Sequence, residues 1–354
     1  KLRTNILRWY DKHARDLPWR HNLHPYQSWI SEIMLQQTQV STVIDYFLRF
    51  IERFPDVVTL ANAPEQEVLR YWEGLGYYRR ARQLHAAAQV IRDQHQGEFP
   101  IDFESVLALP GIGRYTAGAI LSISLNQRLP IVEANTNRLF ARLLLHAEDV
   151  MVSESQKKFW AFAEWILPRK NLSDFNQALM EVGALVCTPK DPNCVQCPLK
   201  TICPTREQGC WTEIPKPKVK TKYEDLNEVA IALRDPKTNS VLIRQCLAGE
   251  RWEGLWDFPR FEYQLHQPNH PSVAEEDQLS GQLRQLTKYS GAEYEWLTLI
   301  KHGVTKYRIS LHCYEAKLTG KRPQSLPNQK WVQPHELTEF PLSVTGRKLA
   351  KSIS

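Results

Sequence analysis

The sequence contains no apolar run long enough to cross a bilayer. Its first residues, Lys1-Leu-Arg-Thr-Asn, lack the pattern of a signal peptide. Of the seven cysteines, three are scattered and do not suggest a disulfide framework: Cys210, Cys246 and Cys313. These absences argue against an integral membrane protein and against a disulfide-stabilised secreted domain. We therefore expect a reducing intracellular compartment.

Composition sets further bounds. A length of 354 residues favours two domains, and 42% hydrophobic residues with a mean hydropathy of −0.45 are typical of a globular protein. The net charge of +6 and the pI near 8.8 weakly favour a polyanionic partner, since many basic proteins bind no nucleic acid.

Four cysteines lie close together near the middle of the chain, spaced C-x6-C-x2-C-x5-C: Cys187, Cys194, Cys197 and Cys203. So dense a set is typical of one metal centre, either tetrahedral zinc or a [4Fe-4S] cluster. Zinc sites usually place two close pairs on separated knuckles, whereas only Cys194 and Cys197 form a close pair here. The spacing favours the cluster and leaves zinc as the alternative.

The first two hundred residues have a helical pattern. Apolar residues recur at helical spacing from 29 to 54, and no alternating strand pattern interrupts the region. Prolines at 18, 55, 64, 100, 110 and 130 separate the segments. We predict an all-helical module with further helices near 64–74, 78–95, 114–125, 133–147, 154–168 and 174–185.

The segment Leu109-Pro-Gly-Ile-Gly113-Arg114-Tyr115-Thr-Ala117 opens one of these helices. Gly111 and Gly113 suit a tight turn whose backbone N–H groups, at a helix N-terminus, make a phosphate site. An ordinary glycine turn between packed helices is the alternative. Leu-Pro-Gly-x-Gly before an apolar helix favours a helix-hairpin-helix DNA-binding motif.

This motif followed by the four-cysteine run resembles the endonuclease III superfamily of DNA glycosylases. The segments Trp29-Ile-Ser-Glu-Ile-Met-Leu-Gln-Gln-Thr-Gln-Val40 and Trp72-Glu-Gly-Leu-Gly-Tyr-Tyr-Arg-Arg-Ala-Arg82 are similar to the MutY-type adenine DNA glycosylases. The resemblance covers roughly residues 5–205. It implies a mainly α glycosylase domain over 1–206 with a [4Fe-4S] loop.

The resemblance also implies residue roles. Glu32, which lies among apolar residues where burial would raise its pKa, would protonate the adenine ring. Gln37 would enter the duplex where the adenine is extruded, and Tyr77 would insert beside the base opposite it. Tyr115 stands where lyase-competent relatives have a Schiff-base lysine, so we expect a monofunctional glycosylase. The other expected DNA contacts of this domain are Gln36, Thr38, Arg79, Arg82, Gly111, Gly113 and Arg114.

One departure from the family pattern affects the second catalytic carboxylate. The family has an aspartate followed by glycine, whereas this chain has Glu133-Ala134-Asn135. A carboxylate at this place can stabilise the positive charge that develops on the sugar. We expect Glu133 and Asn135 to be catalytic. The alternative is that Glu133 caps the helix beginning near 134.

After a Pro/Lys-rich linker at 207–225, the pattern changes. Short strands are predicted at 229–233, 241–245, 297–300 and 307–316, with helices at 276–289 and 342–353. The stretch Gly254-Leu-Trp-Asp-Phe-Pro259 resembles the Nudix-like C-terminal domain of the MutY type, which implies a smaller α/β domain over 226–354. Because the segment 279–288 has no carboxylate, magnesium-dependent nucleotide hydrolysis is not expected.

A second departure lies in the loop that reads oxidised guanine in the family. There the pattern is His-x-Phe-Ser-His, whereas this chain has His302-Gly-Val-Thr305-Lys306. His302, Thr305 and Lys306 remain candidate DNA contacts. The alternative is a simple connection between strands.

We therefore expect an enzyme that removes adenine opposite 8-oxoguanine or guanine. Its expected partner is double-stranded DNA with a mismatch or an oxidised guanine, without a membrane partner. We expect a monomer in the cytoplasm or nucleus. The alternatives are a related glycosylase with another base or partner specificity, and a catalytically silent lesion-binding protein.

Overall fold

The computed structural model describes residues 1–217, 222–263, 272–320 and 326–353. The chain forms two compact units. The first comprises Lys1–Asn62 and Gln83–Val219, and the second comprises Ala63–Arg82 and Lys220–Ser354. The expected linker at 207–225 is described only in part, since residues 218–221 lie outside the described ranges. None of the helices in those ranges combines the length and apolar character needed to span a membrane.

Residues 1–217 contain helices and no strand, which confirms the predicted helical module. The π-helical turn Val182–Val186 directly continues the twelfth helix. The helices are α1 Leu2–His13, α2 Pro18–His21, α3 Pro25–Leu35, α4 Val40–Arg53, α5 Val57–Asn62, α6 Glu65–Trp72, α7 Arg79–Gln94, α8 Phe103–Leu107, α9 Arg114–Leu125, α10 Ala134–Leu143, α11 Ser153–Ile166, α12 Leu172–Glu181 and α13 Pro204–Gln208.

The apolar pattern at 29–54 forms two helices, α3 and α4, rather than one. Between them Gln37 adopts a left-handed backbone with φ of 57°, a conformation that ends a helix. The spacing of apolar residues alone does not reveal so short a break between helices, because the apolar pattern continues on both sides of it.

Close packing fixes the helices of the first unit. Aromatic side chains from α10, α11 and α12 pack together with α1, and their members Phe140, Phe159 and Phe175 are fully buried. Gly118 of α9 lies against the backbone of Pro130, where an added Cβ would come within 2.8 Å of the carbonyl oxygen. The helix that begins at the glycine turn is therefore tightly packed along its length.

The second unit contains a mixed sheet between helices, which confirms the Nudix-like α/β prediction. The strand order is β3-β2-β1-β6-β5, with β4 beside β1 and β7 beside β2. β1 and β6 are parallel, whereas β5 and β6 form an antiparallel hairpin. The strands are β1 Glu224–Arg234, β2 Val241–Gln245, β3 Trp256–Asp257, β4 Arg260–Glu262, β5 Ser290–Val304, β6 Tyr307–Thr319 and β7 Gln329–Val332.

Two further helices cover opposite faces of this sheet: α14 Val273–Thr287 and α15 Val344–Ala350. Leu279 and Leu283 of α14 pack on one face, and Leu349 of α15 packs on the other. Glu275 forms a capping box with Ser272, so this carboxylate of α14 serves the helix end. In the described parts of the chain, no three His, Cys, Asp or Glu side chains are arranged to hold a metal ion.

Candidate active site and DNA-binding elements

A cavity of about 530 Å³ lies in the first unit. Its lining includes four residues that the sequence predicted to be catalytic: Glu32, Tyr115, Glu133 and Asn135. They come from α3, the start of α9 and the start of α10. Residues up to 103 positions apart in the sequence thus contribute to one site, and the cavity is large enough to hold a nucleobase.

Glu32 is buried, with 7% of its surface exposed. The Tyr115 hydroxyl donates a hydrogen bond to Glu32 Oε2 at 2.7 Å and lies 3.4 Å from Met180 Sδ. Burial raises the pKa of Glu32 to about 7, against the opposing effect of the hydrogen bond from Tyr115. A carboxyl with such a pKa can hold and donate a proton near neutral pH.

Glu133 is the N-cap of α10, as the alternative interpretation proposed. Its two carboxylate oxygens each accept a backbone N–H, from Asn135 and from Thr136, both at 2.8 Å. Burial raises the pKa of Glu133, and these backbone hydrogen bonds oppose the increase. Since Glu133 also lines the cavity, capping holds its carboxylate in a fixed position beside Glu32.

Asn135 is held by a second set of contacts. Its side-chain oxygen accepts a hydrogen bond from Arg138 at 2.9 Å. Its Cβ and carbonyl lie so close to Gly183 that a side chain there would approach within 2.8 Å. The position of Asn135 in the cavity wall is therefore fixed by packing as well as by hydrogen bonding.

The sequence prediction missed a buried ion-pair group in the same wall. Glu181 is fully buried, and its Oε1 accepts hydrogen bonds from Arg15 Nε at 3.0 Å and Arg20 Nη2 at 2.8 Å. All three line the cavity. The available signal was a glutamate among apolar neighbours on a helix, the same signal that marked Glu32.

The turn between α3 and α4 carries three predicted DNA contacts. Gln37 is exposed in its left-handed conformation. Gln36 Nε2 lies 3.5 Å from Thr116 Oγ1, and the Thr38 hydroxyl donates to the carbonyl of Gln36 at 3.3 Å. The three residues also line the cavity. Gln37 therefore lies at the cavity wall with its side chain exposed.

The glycine turn between α8 and α9 has the geometry expected of a helix-hairpin-helix motif. Gly111 has a φ of 78°, and an added Cβ would lie 2.8 Å from Cβ of Gln83, so conformation and space both require glycine. Gly113 is the N-cap of α9, with open space on its side-chain position. The exposed Arg114 guanidinium lies 3.9 Å from the ring centre of Trp160. The start of α9 is thus open to an anion.

Tyr77, Arg79 and Arg82 belong to the second unit. Tyr77 has a φ of 48° and a 52% exposed side chain, and Arg79 is exposed. Arg82 forms an ion pair with Glu253, so its charge is already balanced within the unit. Tyr77 and Arg79 are the members of this set that are open to a ligand.

The segment 302–306 is the end of the β5–β6 hairpin. Val304 pairs with Tyr307, so that Thr305 and Lys306 form a two-residue turn. Lys306 Nζ lies 2.8 Å from Glu224 Oε1. The ring of His302 is 6.1 Å from that of Trp252, and burial, with Arg260 nearby, lowers the pKa of His302. The hairpin presents a hydroxyl and an ammonium group at its tip.

Two family models match the chain. Residues 30–164 match the HhH-GPD superfamily base excision DNA repair proteins, and residues 229–352 match the NUDIX domain. The adenine DNA glycosylase of Buchnera aphidicola subsp. Schizaphis graminum (strain Sg) is 38% identical over 73% of this chain and 75% of the relative. The chain belongs to the adenine DNA glycosylase family.

The similarity to two other proteins shows how much of the chain is covered. The adenine DNA glycosylase of Rattus norvegicus is 30% identical over 98% of this chain and 77% of the relative. The solved structure of a thermostable thymine-DNA glycosylase has a TM-score of 0.55 and 28% identity, covering 58% of this chain and 95% of that one. The adenine glycosylase likeness thus extends through both units.

Four of the seven cysteines of this adenine glycosylase family member lie together around a second cavity. It is lined by all four of the predicted ligands: Cys187, Cys194, Cys197 and Cys203. None of them is in a disulfide. Burial raises the pKa of Cys197 to about 11, and the neighbouring cysteines add to the increase. Arg142 Nη1 lies 3.2 Å from Cys187 Sγ and is the cationic contact of this thiol group.

Proposed function

We propose that this protein is a monofunctional DNA glycosylase that removes adenine mispaired with 8-oxoguanine or guanine. The observation that carries the proposal is one cavity lined by a protonatable Glu32, a second carboxylate, Glu133, and Tyr115 at the start of α9. Hydrolysis of an N-glycosidic bond requires an acid for the leaving base and an anion for the sugar.

In the proposed reaction, Glu32 gives its proton to a ring nitrogen of the extruded adenine. The bond between the base and the sugar then breaks, and its electron pair leaves with adenine. Glu133 stabilises the positive charge left on the sugar. Water then adds to the sugar, and the proton that it loses returns to the Glu32 carboxylate. Tyr115 orients Glu32 through the 2.7 Å hydrogen bond. Since tyrosine has no amine, it forms no Schiff base and the strand stays intact.

Three further groups of residues are proposed to contact the DNA. The backbone N–H groups at Gly111–Arg114 would hold a phosphate at the start of α9. Gln37 and Tyr77 are both exposed and both have a left-handed backbone. Gln37 would enter the duplex where the adenine is extruded, and Tyr77 would insert beside the base opposite it. Thr305 and Lys306 at the hairpin tip would contact the base opposite adenine or a phosphate beside it.

A direct test is analysis of the products from a duplex with adenine opposite 8-oxoguanine. The proposal expects free adenine and a strand that is cleaved only after alkali treatment. A strand nicked without alkali would contradict the monofunctional assignment. Binding without release of any base would instead support a silent lesion-binding protein.

The pH dependence of adenine release should follow the ionisation of Glu32. Because only the protonated form can donate, the rate should decrease as the pH rises through about 7. Tyr115→Phe removes a hydrogen bond that lowers this pKa, so the decrease should move to higher pH. Single-turnover rates of both proteins across the neutral range would check this; an identical pH profile in the variant would contradict it.

We also propose that the four cysteines hold a [4Fe-4S] cluster. The donor set fits, because four free thiols surround one cavity. Partial burial raises the pKa of Cys194, Cys197 and Cys203, which disfavours bare thiolates there unless a cationic centre is bound. Zinc is the alternative centre, because it too is bound by four cysteine thiolates in structural sites. When bound, the cluster would tie the loop bearing Lys190, Lys200 and Arg206 to the helical core.

The cluster proposal predicts a coloured protein that contains iron and acid-labile sulfide in equal amounts. Cys197→Ser should remove both and reduce DNA binding, because the basic loop loses its internal tether. Cys210→Ser is the matched control, since Cys210 is a free cysteine outside the cavity lining. A colourless protein with stoichiometric zinc would contradict the cluster.

A further inference from the structure

The Gly254–Pro259 motif lies against α6 within the second unit. Gly254 has a φ of 87°, and an added Cβ would approach Leu69 to 3.3 Å. The carbonyl of Gly254 accepts a hydrogen bond from Gln66 Nε2 at 2.9 Å, and the Trp256 indole donates to Gln66 Oε1 at 2.9 Å. Both ends of the Gln66 amide are therefore used to attach α6 to this motif.

The end of α6 is attached by a second, charged contact. Arg347 of α15 donates to both carboxylate oxygens of Glu73, at 2.7 and 2.9 Å. The backbone N–H of Leu342 donates to the same carboxylate at 3.2 Å. Arg347 is itself oriented by the carbonyls of Leu337 and Phe340, both at 2.7 Å. Such a bidentate pair fixes orientation as well as distance.

The turn that follows Glu73 is internally braced. Gly74, Gly76 and Tyr77 all have positive φ, at 100°, 73° and 48°. The Trp72 indole donates to the carbonyl of Gly76 at 3.2 Å, and Arg80 donates to the same carbonyl at 3.1 Å. Tyr77, whose ring is exposed, therefore lies in a turn with little conformational freedom.

We propose that Glu73, held by Arg347, is a positioning residue for Tyr77. The C-terminal sheet and its helix α15 then set where the ring enters the duplex. The inference rests on the proposed function, since it requires Tyr77 to insert beside the base opposite adenine. Tyr77 and the 302–306 hairpin, which are both proposed to contact that base, belong to one structural unit. Glu32 and Glu133 belong to the other.

Glu73→Gln tests this because it removes the charge and keeps the size of the side chain. The half-saturating enzyme concentration for adenine release opposite 8-oxoguanine should rise roughly tenfold, with little change in the saturated rate. Glu315→Gln is the matched control: Glu315 forms a bidentate pair with Arg234 in the same unit, on β1 and β6, and should leave both parameters unchanged.

A double-mutant cycle with Tyr77→Ala separates positioning from general stability. If Glu73 acts through Tyr77, then Glu73→Gln should have no further effect on duplex affinity in the Tyr77→Ala background. Additive losses, or a Glu73→Gln protein that behaves like Glu315→Gln, would overturn the inference. If the unmodified protein releases no adenine, the proposed function fails, while the same affinity cycle on the mismatched duplex still decides the role of Glu73.

Discussion

Replacing Glu32 with Gln is expected to reduce adenine release by roughly 10²–10⁴-fold, the usual contribution of a positioned general acid. Gln has nearly the same shape and can still accept the hydrogen bond that Tyr115 donates to Glu32. It has no proton to give to the base. Single-turnover release with enzyme in excess isolates this step from binding.

The stability of the Glu32→Gln protein provides the control. Because burial raises the pKa of Glu32 to about 7, the fold favours the protonated carboxyl. That contribution is fully present below the ordinary glutamate pKa of 4.5 and is lost as the pH rises from there through about 7. The variant should therefore be at least as stable as the unmodified protein at alkaline pH.

Adenine release by Glu32→Gln within a few-fold of the unmodified rate would remove Glu32 from the mechanism.

Glu133→Gln is expected to reduce adenine release by roughly 10²–10³-fold, the size of a lost electrostatic contact in the transition state. The variant keeps one oxygen that can accept a backbone N–H of Asn135 or Thr136, so α10 retains part of its cap. Weakening the cap should cost about 0.5–2 kcal/mol of stability. Affinity for the mismatched duplex should be nearly unchanged, because the cavity keeps its shape.

Glu133→Asp distinguishes the charge from the cap. Aspartate is both an anion and a good N-cap, so this variant should retain far more activity than Glu133→Gln at similar stability. If each variant loses activity only to the extent that it loses stability, Glu133 acts only as the helix cap. Rapid release by Glu133→Gln would likewise leave the carboxylate without a catalytic role.

Several features of the candidate site could be predicted from the sequence, because they depend on residues that lie close together in the chain. Tyr115 lies two residues after the Leu-Pro-Gly-x-Gly turn, and the resemblance of that segment to the endonuclease III superfamily implied its role. The capping role of Glu133 was one of two interpretations of its position before an apolar helix. The four cysteines are close enough in sequence to meet without distant chain. In each case the chemistry is determined within a few residues.

Other features depend on contacts between distant segments and were not predicted. The Glu181 group with Arg15 and Arg20 joins residues more than 160 positions apart, and no periodicity marks the partners. Strands β3, β4 and β7 are too short to show alternation, and exist because neighbouring strands pair with them. The membership of Ala63–Arg82 in the second unit follows from packing with Gly254 and Arg347, which local sequence does not encode.

The most direct test of the central claim is single-turnover adenine release from matched duplexes with 8-oxoguanine, guanine or cytosine opposite the adenine. We expect rapid release opposite 8-oxoguanine, slower release opposite guanine and little opposite cytosine. That result would mean that Glu133 and the altered hairpin at His302, Thr305 and Lys306 preserve both excision and recognition. No release, or equal release opposite all three bases, would contradict the account.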